Sequence, residues 1–163
     1  MRVYVFVDVS RDGGTVYSAI VVQAEKLGVL GSRLSWVKHR RKMGRKRRRG
    51  YDPAFLRRLK KLISSGLIID AVAFQEVEGL KTFLLKLRDK HEITAAYLDE
   101  YVLVRLPRNL LNELPVKPEA ETTRKRGDLR RAMLLADGLA GIAREKGIKY
   151  ISEKLGKRPR AAP

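Results

Sequence analysis

RVYVFVDVSRDGGTVYSAIVV, residues 2–22, reads as a β-hairpin with one acid in an awkward place. The first arm sets Val3, Val5, Val7 and Val9 on one face and Tyr4, Phe6 and Asp8 on the other, so both faces are apolar until the end. That is the pattern of a strand in the middle of a sheet. Ser10-Arg11-Asp12-Gly13-Gly14 supplies the turn, with two glycines free to take positive φ, and Thr15 to Val22 returns as a β-branched second arm. Asp8 therefore lies near the end of a central strand, on the side of Tyr4 and Phe6. A carboxylate there is costly to bury unless it is paired, hydrogen-bonded or bound to a metal. Two readings stand: Asp8 ends the strand and bonds to turn amides, or it has a chemical task.

Outward from the hairpin, Gln23 to Gly31 reads as a connection and Ser32 to His39, SRLSWVKH, as a short third strand of an antiparallel meander. A basic loop follows at 38–50. Asp52 and Pro53 have the types expected at the cap and first position of a helix, which carries Phe55, Leu56, Leu59, Leu62 and Ile63 on its apolar stripe and ends at Gly66. Leu67 to Phe74, LIIDAVAF, suits a buried parallel strand with Asp70 near its start, an acid expected to meet a basic side chain. A helix over Glu78 to His91 and a strand over Ile93 to Leu98 complete a strand-helix-strand crossover. Tyr101 to Leu106 reads as an extension of that strand, and Pro107 to Thr123 as a long loop with room for a helical turn. The last long helix begins at Gly127-Asp128, runs to Lys146 with Leu129, Met133, Ala136, Ala140 and Ala143 on one stripe, and is closed by Gly147. A short strand at Ile148 to Ile151 precedes a basic tail. The expected organisation is one domain over 1–152 and a disordered tail over 153–163.

Composition narrows the chemistry. The chain has no cysteine and only His39 and His91, which excludes disulfides, zinc–thiolate sites, thiol catalysis and multi-histidine centres. Any metal would be held by carboxylates, which select hard cations such as magnesium or manganese. No apolar run approaches the roughly 20 residues of a membrane span, so a soluble, cytoplasmic protein without membrane partners is expected; the missing cysteine and abundant Lys and Arg fit a thermophile. A formal charge of +18 points to a polyanion, and most of the excess lies in KHRRKMGRKRRR, residues 38–49. Blocks of like charge release counterions when they meet phosphate, which makes nucleic acid the natural partner and Arg40, Arg41, Lys42, Arg45, Lys46, Arg47, Arg48 and Arg49 the residues that grip its backbone. Smaller basic groups lie at Arg124-Lys125-Arg126 and in the tail. The alternative for the run is a solvated loop that serves solubility.

Three acids interrupt apolar surroundings: Asp8, Asp99 at the end of the Ile93 to Leu98 strand, and Asp137 in the final helix, flanked by Ala136, Gly138, Ala140 and Gly141. Ligands gather at the carboxyl ends of parallel strands, where Asp8 and Asp99 converge if their strands are neighbours. Asp137 is either a third ligand brought in by a close-packed helix or a satisfied helix acid meeting Arg130, Arg131 or Arg144. Asp128 reads as a helix cap, and Glu100 points away from Asp99. Glu76 and Glu78 follow the LIIDAVAF strand at the end where ligands collect, and either is placed to join. Clustered acids repel unless a divalent cation neutralises them, and such cations serve phosphodiester displacement.

The order of elements, with acids at the first strand, a later strand end and the last helix, resembles the ribonuclease H-like fold: an α/β mixed sheet, an antiparallel meander followed by parallel strands, flanked by helices. VYVFVDVSRDGGTVYSAIVV and LLADGLAGIARE resemble the opening hairpin and closing helix of the domain of unknown function 3800 family, and LDE at 98–100 its middle acid. The resemblance implies that Asp8, Asp99 and Asp137 are catalytic metal ligands for Mg2+ or Mn2+, with Glu76 where related junction-resolving nucleases place a glutamate. It implies a metal-dependent nuclease, and a homodimer where junctions are resolved. Val9 departs from the family, which usually has Glu there, and leaves one acid on the first strand. A non-catalytic nucleic-acid-binding protein or a ribonucleoprotein-associated factor on the same fold is the alternative.

Overall fold

The double alternation of residues 2–10 becomes β1 (Arg2–Ser10), the centre of a five-stranded sheet in a computed structural model that describes residues 1–122 and 127–157. β2 (Val16–Gln23), β3 (Ile68–Phe74), β4 (Glu92–Leu98) and β5 (Val116–Pro118) complete it in the order β3-β2-β1-β4-β5. β1, β2 and β3 form an antiparallel meander, while β4 is parallel to β1 and β5 parallel to β4. This is the expected α/β mixed sheet flanked by helices, consistent with a ribonuclease H-like arrangement. The helices are α1 (Leu27–Ser32), α2 (Arg45–Ser64), α3 (Val77–Lys90), α4 (Glu100–Leu103), α5 (Arg108–Glu113), α6 (Gly127–Lys146) and α7 (Ile148–Lys154), with single 3-10 turns at Ala24–Lys26 and Arg40–Lys42.

Because β1 is apolar on both faces, it joins two cores. Phe6, Ile20, Ala71, Ala73 and Tyr97 face α1, α2, α6 and α7, where Leu30, Phe55, Leu59, Met133, Leu139 and Ile151 meet them. Val3, Val5, Val7, Val9, Ala19 and Val21 face α3, α4 and α5 through Leu80, Leu84, Val102 and Leu110. Each large side chain removed from water in this way contributes about 1.5–3 kcal/mol. Asp8 shares the Phe6 face, the one covered by α6.

Small residues bring α6 close to the sheet and to α2. The Ser18 hydroxyl donates to the Ala136 carbonyl at 2.6 Å, fixing the helix over β2. A Cβ at Gly138 would lie 2.7 Å from the Phe55 ring, and one at Gly141 2.7 Å from the Arg40 guanidinium.

The structure corrects several expectations. Residues 32–39 form successive turns, not a strand: Leu34 N–H bonds to Gly31 O and Val37 N–H to Leu34 O, a three-residue spacing that sends Leu34 and Val37 into the core. The third strand of the meander is β3, read beforehand as a parallel strand. Its continuous apolar pattern reflects helices on both faces rather than strand direction. The crossover through α3 consequently passes beneath β2 and β1 before reaching β4. The basic loop of 38–50 is a 3-10 turn followed by the first turns of α2, so Asp52 and Pro53 lie inside that helix. Asp52 is buried and bonds to Arg40 instead of capping. Residues 101–106 turn into α4 because Asp99 accepts the Tyr101 N–H at 2.8 Å and caps it. Of the loop expected over 107–123, the described residues 107–122 hold α5 and β5. The strand expected at 148–151 is α7, entered through Gly147 at φ 98°. Of the expected tail, residues 153–157 are ordered: Leu155 is buried, and Lys157 pairs with Asp70, the basic partner anticipated for that acid. Residues 123–126 and 158–163 lie outside the described part. No helix among the described residues is long and apolar enough to cross a membrane.

Candidate metal centre

Three parallel neighbours, β1, β4 and β5, each deliver one acid at their carboxyl ends. Asp8 comes from β1, is 2% exposed, and accepts the Val9 N–H at 2.8 Å. Asp99 follows β4, held by its own N–H on the Val7 carbonyl at 3.1 Å. Glu119 follows β5, held by its N–H on the Leu98 carbonyl at 2.9 Å. Backbone pairing thus sets the acids side by side, and one oxygen of each lies within 4.8 Å of the others.

Asp137 reaches the same place from α6, whose register is set by the Ser18 bond to its neighbour Ala136. It is 6% exposed, its Oδ1 meets Arg41 Nε at 3.0 Å, and its Oδ2 is buried with no hydrogen-bond partner. A buried carboxylate oxygen without a partner is expensive and rare in folded chains.

The electrostatics report crowding. Burial first, then the charges of Glu119 and Asp137, hold the Asp8 carboxyl well above the usual range against the pull of the Val9 N–H. Burial, a hydrogen bond with Asp99 and the charges of Asp99 and Asp137 push Glu119 up to about 7, against the opposing effect of Arg41. Hard oxygen donors at this spacing, with an orphaned buried oxygen beside them, fit a divalent cation of the magnesium or manganese type.

Arginines surround the acids. Arg41 bonds to the Val9 carbonyl at 2.7 Å and lies 3.9 Å from Asp8 as well as against Asp137, with just over half of its side chain exposed. Arg144 donates to the Ser10 hydroxyl at 2.8 Å and to the Asp12 carbonyl at 2.5 Å. A cavity of about 360 Å3 opens between these guanidinium groups and Asp99 and Asp137.

Of the expected acids, Asp8, Asp99 and Asp137 come together. Glu76 does not join them: it is exposed at the end of edge strand β3, where its carbonyl accepts the Gly79 N–H at the start of α3. Glu119 takes part and was missed, because two prolines and a three-residue strand disguise PVKPE as loop. Its only signal was the one that marked Asp99, an acid directly after a strand, here weakened by Lys117 and Pro118. The partner of Asp137 is Arg41 rather than Arg130, Arg131 or Arg144.

The basic residues divide three ways. Arg40 is 2% exposed and forks onto Asp52 at 2.8 and 2.9 Å and Glu145 at 2.6 Å; burial disfavours its charge, and those bonds outweigh the penalty and raise its pKa. It faces no solvent and so cannot grip a backbone. Arg48 pairs with Glu145 at 3.0 Å. Lys42, Arg45, Lys46, Arg47 and Arg49 are exposed.

No protein-family model matches the chain, and no curated protein matches it.

Proposed function

We propose that this chain is a divalent-metal-dependent nuclease, or a phosphoryl-transfer relative, acting on nucleic acid. The observation that carries the reading is the alignment of Asp8, Asp99 and Glu119 at the ends of three adjacent parallel strands beneath the unpartnered oxygen of Asp137. Mg2+ or Mn2+ held there would supply Lewis acidity to a phosphodiester and lower the pKa of bound water. Asp8, Asp99 and Glu119 would hold it from the sheet and Asp137 from the helix. Arg41 and Arg144 would meet the non-bridging oxygens of the phosphate, with bidentate donors suited to that charge. The exposed Lys42, Arg45, Lys46, Arg47 and Arg49 would bind the flanking backbone and fix its register without reading sequence. The ribonuclease H-like family is the reading these features favour.

A second reading rests on one specific contact. Arg41 already pairs with Asp137 and lies 3.9 Å from Asp8, and Val9 stands where the resembled family has an acid, so on this reading the chain would bind nucleic acid without cleaving it. Calorimetric titration with Mn2+ of wild type, Asp8→Asn and Asp137→Asn separates the two when cleavage of DNA and RNA is followed on the same samples. Stoichiometric binding and cleavage, both lost in the variants while nucleic-acid affinity persists, is the outcome expected of the enzyme. No specific Mn2+ binding and no cleavage by wild type would sink it in favour of the binder.

A further inference from the structure

A second recess adjoins the acid cavity. Its volume is about 660 Å3, within the range of sites that enclose one small ligand. Arg45, Arg48 and Arg49 of α2, Arg144 and Lys146 at the end of α6, and Tyr150 of α7 line it. Asp12, Arg48 and Arg144 line both spaces, so a chain leaving the acids past those side chains enters the recess directly.

The charges of the recess are not balanced from within. Of its three acids, Asp52 and Glu145 are engaged by Arg40, and Glu145 also by Arg48, which leaves Asp12 alone to set against Arg45, Arg49 and Lys146. Among the described residues no carboxylate pairs with Arg45, Arg49 or Lys146. Three free cations about a concave surface suit a phosphate. Tyr150 adds a half-buried aromatic ring to the same wall, packed against the core, and Lys154 Nζ lies over the ring 5.5 Å from its centroid, where a stacking base would take its place. Cations that track a backbone and an aromatic on which a base stacks are the two components of single-strand recognition. A base within a recess cannot at the same time be paired in a duplex.

We propose that this recess binds one unpaired nucleotide next to the phosphate at the acid site, with its phosphate against Arg45, Arg49 and Lys146 and its base on Tyr150. The strand is therefore single at that point. The inference rests on the reading that the chain acts on nucleic acid, and it is independent of catalysis.

The test is fluorescence anisotropy of the full chain in chelator at one salt concentration, with single-stranded DNA and RNA octamers and a blunt duplex. Tyr150→Leu keeps the apolar packing and removes the π face. It should weaken single-strand binding about tenfold, the worth of one stacked base, while Tyr150→Phe retains it and duplex affinity moves less than about twofold. The paired change Arg49→Ala with Lys146→Ala should flatten the salt dependence by about two phosphate contacts. Crosslinking of an iodouracil-substituted octamer should map to the peptide holding Tyr150. Equal loss on single strand and duplex, or no loss, overturns the recess while leaving nucleic-acid binding intact; no binding of any probe by wild type overturns both. The DNA and RNA arms report which sugar the recess accepts.

Discussion

Arg40 and Arg41 are neighbours in the chain and opposites in environment. One is sealed between α2 and α6, bonded to two acids; the other leans half-exposed into the acidic cluster. The sequence shows both as members of one basic run, because charge density says nothing about which guanidinium finds a buried carboxylate. The fork made by Arg40 anchors the 3-10 turn, and that anchoring aims Arg41. A half-exposed ion pair is worth about 1 kcal/mol. Arg41→Ala should therefore raise Mn2+ affinity about fivefold in calorimetry, since a cation no longer competes with the guanidinium, and should lower cleavage. Glu119 carries the second prediction at this scale. Its folded carboxyl keeps its proton up to about 7, whereas the unfolded one loses it near 4.5. The folded state therefore binds more protons in that window, and stability falls as pH rises through it. Metal-free protein should melt at progressively lower temperature from about pH 5 to about pH 7. Glu119→Gln should flatten the trend, and added Mn2+ should reverse it. Asp8 was legible because it breaks a double alternation; Glu119 was hidden because its strand has only three residues, one of them proline.

Helix α6 shows what an element's sequence can and cannot reveal. Its start, end and apolar stripe follow from helical periodicity and from Gly147, and the structure places it at Gly127–Lys146 as expected. Helix α2 was misread at its start because capping rules favour Asp-Pro, while the real first turn has Gly44 as its cap residue and opens with Arg45, Lys46 and Arg47, against the helix dipole. Tertiary pairing of Asp52 with Arg40 overrode the local signal. Strand direction was equally illegible in β3, since burial on both faces erases the difference between parallel and antiparallel neighbours. Where α6 crosses α2, Gly138 faces a Phe55 ring that is fully buried and held edge-on by Trp36 at 5.7 Å. Gly138→Ala gains about 1 kcal/mol of helix propensity and forces a clash costing about 1–3 kcal/mol. A net loss of about 1 kcal/mol is expected, a fall of roughly 2–4 °C in melting temperature, recovered when Phe55→Leu is added to the same chain.

Across the whole molecule, the mixed sheet was readable in outline because β1 had to be central and the acids marked the carboxyl ends of strands. The remainder depended on pairings between distant segments. The chain carries a net charge of +18, which under the proposed function would draw polyanions to the molecule. The same long-range assembly has a kinetic consequence. Positions 8, 99, 119 and 137 are widely separated in an unfolded chain, so their mutual repulsion exists only after β4 and β5 have joined β1 and α6 has docked. Contacts of such separation are costly to close and are expected late. A cation seated among them would stabilise the native state and leave the folding barrier untouched, so Mn2+ should slow unfolding in denaturant and leave the refolding arm unchanged. Metal supply would then set the lifetime of each folded molecule rather than the speed with which new ones mature.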